Sequence, residues 1–244
     1  MLKLKKYFLI ILLSSLMFSC NQNEKSNFED LMIVKGSIRG LRKGKLYLQR
    51  IKDTMLINLD SAYIDGSPEF RFQTPIKTPE VFYLYLNKDD GDSLNDRILF
   101  FGEKGTIEIN TLLKTFESSA KISGSKNQEL LQKYQSMRRK FNDKNLDLLK
   151  DLYVAKGKKQ IERVDTLEKK IASLLNRRYL YTINFAAQNP DQNLAPYLAI
   201  TEVYDANLTL LDSIANKLTN KVKASKYGIE FLNLLEKRRK NEKN

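Results

Sequence analysis

Histidine and tryptophan are absent from the 244-residue chain, and cysteine occurs once, at Cys20. Without histidine there is no Ser-His or Cys-His nucleophilic pair, none of the usual zinc sites, and the side chain best suited to proton transfer near neutral pH is missing. One cysteine permits no intrachain disulfide, no C-x-x-C redox pair and no cysteine metal cluster. Long apolar runs are missing too. Beyond the N-terminal segment no stretch approaches the ~20 apolar residues of a spanning helix, so the remainder is expected to be soluble. Paired carboxylates, as in glycosidases, remain the only general acid–base route, and nothing in one sequence picks out a pair. The expectation is a chain with no catalytic residues, no metal site and no cofactor.

What is present begins with a secretory signature. Met1–Lys6 carries Lys3, Lys5 and Lys6 and no acid, Tyr7–Phe18 is apolar apart from Ser14 and Ser15, and Ser19-Cys20 follows. A basic start, a short apolar segment and a small residue at its end describe a signal peptide over residues 1–19. The run is too short to span a bilayer comfortably. Leu16-Met17-Phe18-Ser19-Cys20 resembles the bacterial lipobox, whose cysteine is lipidated and becomes residue one after cleavage. Cys20 is therefore the expected lipidation site, and residues 20–30, polar at Asn21–Asn27, the tether. Several acyl chains on one residue anchor a protein stably, at ~0.8 kcal/mol per buried methylene. Lipid there also removes the only thiol. Asn21 is not the Asp that directs inner-membrane retention in the best-known sorting scheme, so the outer membrane is favoured over the inner.

The net charge of +13 is unevenly placed. Acidic and basic residues balance between Cys20 and Gly124, and the surplus of the mature chain lies from Ser125 onward. The periodicity changes at the same point, which gives an α+β reading. Residues 31–124 are expected to form an antiparallel β-sandwich of about eight strands. Leu31–Arg39, Leu46–Leu48, Met55–Ile64, the alternating Phe70 and Phe72, and the apolar run Val81–Leu86 supply strands. Ile98–Phe101 and Thr106–Ile109 read as a hairpin about Glu103–Gly105, and Phe116–Ile122 as a last strand. Residues 125–240 form the helical region. Ser125 and Gln128 have the spacing of a capping box. Phe141, Leu148 and Leu152, then Ile161, Val164, Leu167, Ile171 and Leu174, mark two long helices joined at Gly157 as a helical hairpin. Leu194–Tyr204, Thr209–Leu218 and Ser225–Arg239 supply three shorter ones.

Few constellations carry chemistry. Asp89, Asp90, Asp92 and Asp96 share one loop, but the glycine and closing glutamate of an EF-hand are missing, so it reads as a solvated acidic loop. Gly40-Leu-Arg-Lys-Gly44-Lys45 has one residue too few between its glycines for a phosphate loop, and Leu46 stands where a magnesium-binding hydroxyl is needed. Basic clusters at Arg138–Lys140, Lys156–Lys159, Arg177-Arg178 and Lys237–Lys240 read as solvated helix faces with acids interspersed. Contact of such faces with an anionic membrane surface is physically reasonable for a tethered protein. Nucleic acid is not an expected partner.

Val34-Lys-Gly36-Ser-Ile38, Gly44–Leu48, Leu59–Ala62, Gly66–Phe72 and Ser123-Gly-Ser125 together resemble an uncharacterised β domain at the N-terminus of Gram-negative envelope lipoproteins. Asn189-Pro190-Asp-Gln-Asn193 and Pro196-Tyr-Leu198 resemble the linker that follows it, leading to a thioredoxin-like (redoxin) domain. That domain, with its C-x-x-C pair, would begin about where this chain stops, after Lys240, so no residue here inherits the redox role. The expected function is a non-enzymatic, lipid-anchored envelope protein acting as a binding or interaction module. The resemblance also implies an alternative, an accessory subunit of a separately encoded thioredoxin-like oxidoreductase. An acid–base hydrolase using paired carboxylates is the third reading.

Overall fold

The computed structural model describes residues 30–87 and 96–243; the signal segment, Cys20, Asp89, Asp90 and Asp92 lie outside the described residues. Alternating apolar and polar residues, or a short apolar run, form eight strands among the described residues: β1 (Leu31–Arg39), β2 (Lys43–Lys52), β3 (Met55–Asp65), β4 (Glu69–Pro75), β5 (Glu80–Asn87), β6 (Arg97–Gly102), β7 (Gly105–Leu112) and β8 (Lys121–Ser123). They make two four-stranded sheets, ordered β4-β1-β7-β8 and β3-β2-β5-β6. The sheets enclose one core, with Val34, Phe72 and Ile107 from the first meeting Leu48, Leu84 and Phe100 from the second.

The expected α+β sandwich is present, with one difference in direction. All pairings are antiparallel except β1 with β7, which run parallel with Val34 beside Ile107. The hairpin expected of Ile98–Phe101 and Thr106–Ile109 is therefore corrected. β6 pairs with β5, and the chain then crosses at Glu103–Gly105 so that β7 lies beside β1 in the other sheet. The crossing sets Ile107 and Ile109 across the core from Phe100 instead of alongside it. Of the strand expected over Phe116–Ile122, only β8 pairs; Leu113–Thr115 is a 3₁₀ turn and Phe116 fills the core. Where β1 meets β7 the approach is so close that a Cβ on Gly36 would stand 1.7 Å from the Ile109 carbonyl oxygen.

The helices are α1 (Lys126–Gly157), α2 (Ile161–Ala187), α3 (Leu194–Glu202), α4 (Leu208–Ala215), α5 (Asn220–Lys223) and α6 (Lys226–Lys243). Ser125 Oγ accepts from the Gln128 backbone N–H at 3.1 Å, as its spacing implies. The Gln128 side chain does not complete a capping box; it accepts from the Phe101 backbone N–H at 2.7 Å and ties α1 to β6. Farther along, Phe141, Leu148, Leu152 and Ala155 pack on Val164, Leu167, Ile171 and Leu174. The alternating three- and four-residue steps of these α2 residues are a coiled-coil seam. All members of this cluster belong to α1 and α2, so Phe141–Gly157 and its partner form a self-contained arm about 24 Å long.

Ile161, expected on the packed face, is 82% exposed because it opens α2 at the arm's tip, outside the seam. The reversal itself uses Lys159, at φ 54°, and not Gly157. A left-handed conformation strains a residue bearing a Cβ, so Lys159→Gly is expected to stabilise the fold by about 0.5–1 kcal/mol. A lower urea midpoint for the variant would contradict this account. Among the described residues no helix is long and apolar enough to cross a membrane.

Candidate functional site

The continuous apolar run of β5 is explained by cover on both faces. Phe82, Leu84 and Leu86 enter the sandwich core, while Val81 and, in part, Tyr83 turn outward against the helices. There Phe101 packs edge to face on Tyr197 and Tyr227, at 5.6 Å from Tyr197 between ring centres, and Tyr197 and Tyr227 meet at a tilt at 5.1 Å. Buried polar side chains fix the docking. The Tyr227 hydroxyl accepts from the Val81 backbone N–H at 2.9 Å, and Asn127 Oδ1 accepts from that of Leu194 at 2.9 Å. Such bonds orient the helices, since a buried donor left without a partner costs about 1–3 kcal/mol.

Between the sheet and helices α3 and α6 a cleft of about 400 Å³ remains. Ile51 and Asp53 close one end, Val81 and Tyr83 form the floor, and Tyr197, Ile200, Thr201, Lys226, Tyr227 and Glu230 form the wall. Its size and its mix of aromatic surface with a few polar groups fit a small-molecule or side-chain pocket. Burial pushes the Tyr197 phenol up to about 12 and raises Tyr83 and Tyr227 as well, so these hydroxyls are neutral donors and acceptors at ordinary pH. Burial also raises the Glu230 carboxyl, against the pull of the neighbouring Lys226 ammonium.

Beside the cleft, Glu80 is 7% exposed and joins two cations: Arg50 Nη1 donates to it at 3.3 Å, and the Lys226 ammonium donates to its other oxygen. Glu80 is thereby engaged as a structural anion, leaving Asp53 and Glu230 as the carboxylates that line the cleft. The arrangement can hold an apolar or aromatic group and meet a polar end with Lys226, Glu230 or Thr201.

The groups singled out in the sequence lie elsewhere. Cys20 is outside the described residues, and of the acidic loop only Asp96 is inside them, buried at the start of β6. Gly44 and Lys45 belong to β2, so the Gly40–Lys45 segment is a strand entry and not a phosphate-binding loop. The basic clusters are spread over α1, the arm's tip, α2 and α6, and much of their charge is locally paired, as in Arg138 with Glu202, Lys156 with Glu168 and Arg239 with Asp212. Sequence reasoning missed Glu80, Tyr197, Lys226 and Tyr227. The unbroken apolar run of β5 was the available signal that a second layer covers that strand.

Residues 32–131 match the family model described as a domain of unknown function, DUF4369. The matched residues cover nearly all of the sandwich. The DUF4369 match runs past β8 into the first turns of α1, and so includes the docking residues Asn127, Gln128, Leu130 and Leu131. No curated protein matches the chain. A solved structure called pT26-6p is similar at 14% identity with a TM-score of 0.23, over 80% of this chain and 42% of that one. The chain thus spans less than half the length of that structure.

Proposed function

We propose that the chain is a non-enzymatic binding module, held to the cell envelope, and to the outer membrane in particular, by lipid on Cys20. The observation that carries the binding role is the aromatic cleft over β5, whose lining comes from four separate segments held together by buried hydrogen bonds. The basic, apolar and small-residue succession ending at Ser19-Cys20 supports the anchor. The resemblance to envelope lipoproteins that carry a redoxin domain favours one second reading, an accessory subunit for a separate thioredoxin-like protein.

Crosslinking with mass spectrometry on intact envelopes tests these readings together. The natural chain is expected in the membrane fraction, and Cys20→Ala in the soluble one. Ile200→Lys, which places a charge in the cleft, is expected to keep the membrane address and lose the specific crosslinks. Crosslinks that persist in Ile200→Lys would overturn the cleft as the binding site. Membrane retention of Cys20→Ala would overturn the anchor, and turnover of an envelope substrate by the purified protein would overturn the non-enzymatic reading. Repeated recovery of a thioredoxin-like partner would decide for the accessory role.

A further inference from the structure

Farther along β5, on the outer sheet face beyond the cleft, cations and tyrosines alternate across all four strands. The register sets Lys45 of β2 beside Tyr63 of β3, Tyr47 of β2 beside Tyr85 of β5, and Tyr85 beside Arg97 of β6. The Lys45 ammonium lies 4.8 Å from the Tyr63 ring centre and 5.0 Å from that of Tyr47. Tyr47 and Tyr85 stack at 5.8 Å, and the Arg97 guanidinium lies 4.6 Å from the Tyr85 ring centre. Among the described residues, neither cation has a carboxylate within ion-pair distance. Aromatic faces hold them instead, which fixes a positive charge in position without neutralising it. A chain of amides continues the row: Arg97 Nε donates to Gln49 Oε1 at 3.4 Å, and Gln49 Nε2 donates to Asn58 Oδ1 at 2.7 Å.

We propose that this ladder binds an acidic polysaccharide, a chain of sugars bearing anionic groups at intervals. Three features select that chemistry. The two cations, without an ion-pair partner among the described residues, stand apart, separated by Tyr47 and Tyr85, which suits charges repeated along an extended chain. Between and beside them lie the phenols and the exposed Asn58 amide, which donate to and accept from sugar hydroxyls. The faces of Tyr47, Tyr63 and Tyr85 already carry Lys45 and Arg97, so they are not the open stacking platforms that single-stranded nucleic acid uses. A lipid surface would call for exposed aliphatic side chains, whereas Tyr63, 79% exposed, Lys45 and Arg97 present polar ends. The site is separate from the cleft, and Ile200→Lys leaves all of its residues in place.

The test is calorimetric titration of the purified full-length protein with three oligomers: an oligogalacturonate, a neutral maltooligosaccharide and an oligothymidylate. Binding is expected for the oligogalacturonate alone, weakening as salt screens the charges. The double variant Lys45→Gln, Arg97→Gln is expected to stay folded with a slightly lowered unfolding midpoint and to bind about tenfold or more weakly. Tyr63→Ala, a change at an exposed ring, provides a second arm with an expected loss of several-fold. Absence of oligogalacturonate binding, equal binding of oligothymidylate, or full binding by these variants would each overturn the proposal.

Discussion

Gly36→Ala is expected to destabilise the sandwich by about 3 kcal/mol or more, at the upper end of what overpacking does. The added methyl would lie 1.7 Å from the Ile109 carbonyl oxygen and 2.6 Å from its carbon. These are main-chain atoms of β7, fixed by the parallel ladder that runs from Met32–Gly105 to Arg39–Leu112. No rotamer change can relieve the clash, so β1 and β7 must separate over several residues. Against a total stability of about 5–15 kcal/mol, such a loss leaves much of the chain unfolded at modest denaturant. Urea unfolding of the purified protein should show a clearly lower midpoint. A loss below about 1 kcal/mol would mean that β1 and β7 leave room for a methyl group at Gly36.

Glu80→Ala is the second large effect, expected at about 3 kcal/mol. The carboxylate is buried, and its removal strands two cations beside the aromatic docking surface. Arg50 and Lys226 side chains remain 34% and 33% exposed, so water compensates part of their loss and the effect falls short of a fully buried pair. Because Lys226 opens α6 and neighbours Tyr227, the loss should reach the cleft as well as the global midpoint. Hydrogen exchange gives the sharper reading: in Glu80→Ala the amide of Val81, whose partner is the Tyr227 hydroxyl, is expected to lose protection before the core amides of β1 do. Equal loss at both places would show that Glu80 supports the whole sandwich and not the docking of α6.

The fold was legible where one residue's neighbours in sequence decide its environment. Phe70 and Phe72 alternate with polar residues and face the core, and Ser125 caps the helix that follows it. Pairing partners were less legible. Nothing local distinguishes a β6–β7 hairpin from a crossing to the other sheet; that choice depends on Phe100 and Ile107 meeting across the core. The arm shows the same limit. Ile161 fits the helical spacing of the seam, yet it lies past the last residue that α1 can offer it. The cleft was the least legible part, because Ile51, Val81, Tyr197 and Tyr227 are far apart in the chain and ordinary as residue types. Only the packing of α3 and α6 on β5 brings them together.

The parallel pairing of β1 with β7 also gives the molecule a mechanical direction. Any pull arriving through the residues before Asp30 enters at the first residue of β1, while the rest of the chain continues from the far end of β7. Force along that line runs parallel to both strands and across the evenly spaced, slanted hydrogen bonds that join them. The bonds from Met32–Gly105 to Arg39–Leu112 are then loaded together in shear, with the β4 ladder on the other side of β1 sharing the strain. An antiparallel partner in β7's place would be unzipped one bond at a time. The strand nearest the expected tether is the one held against being drawn out lengthwise.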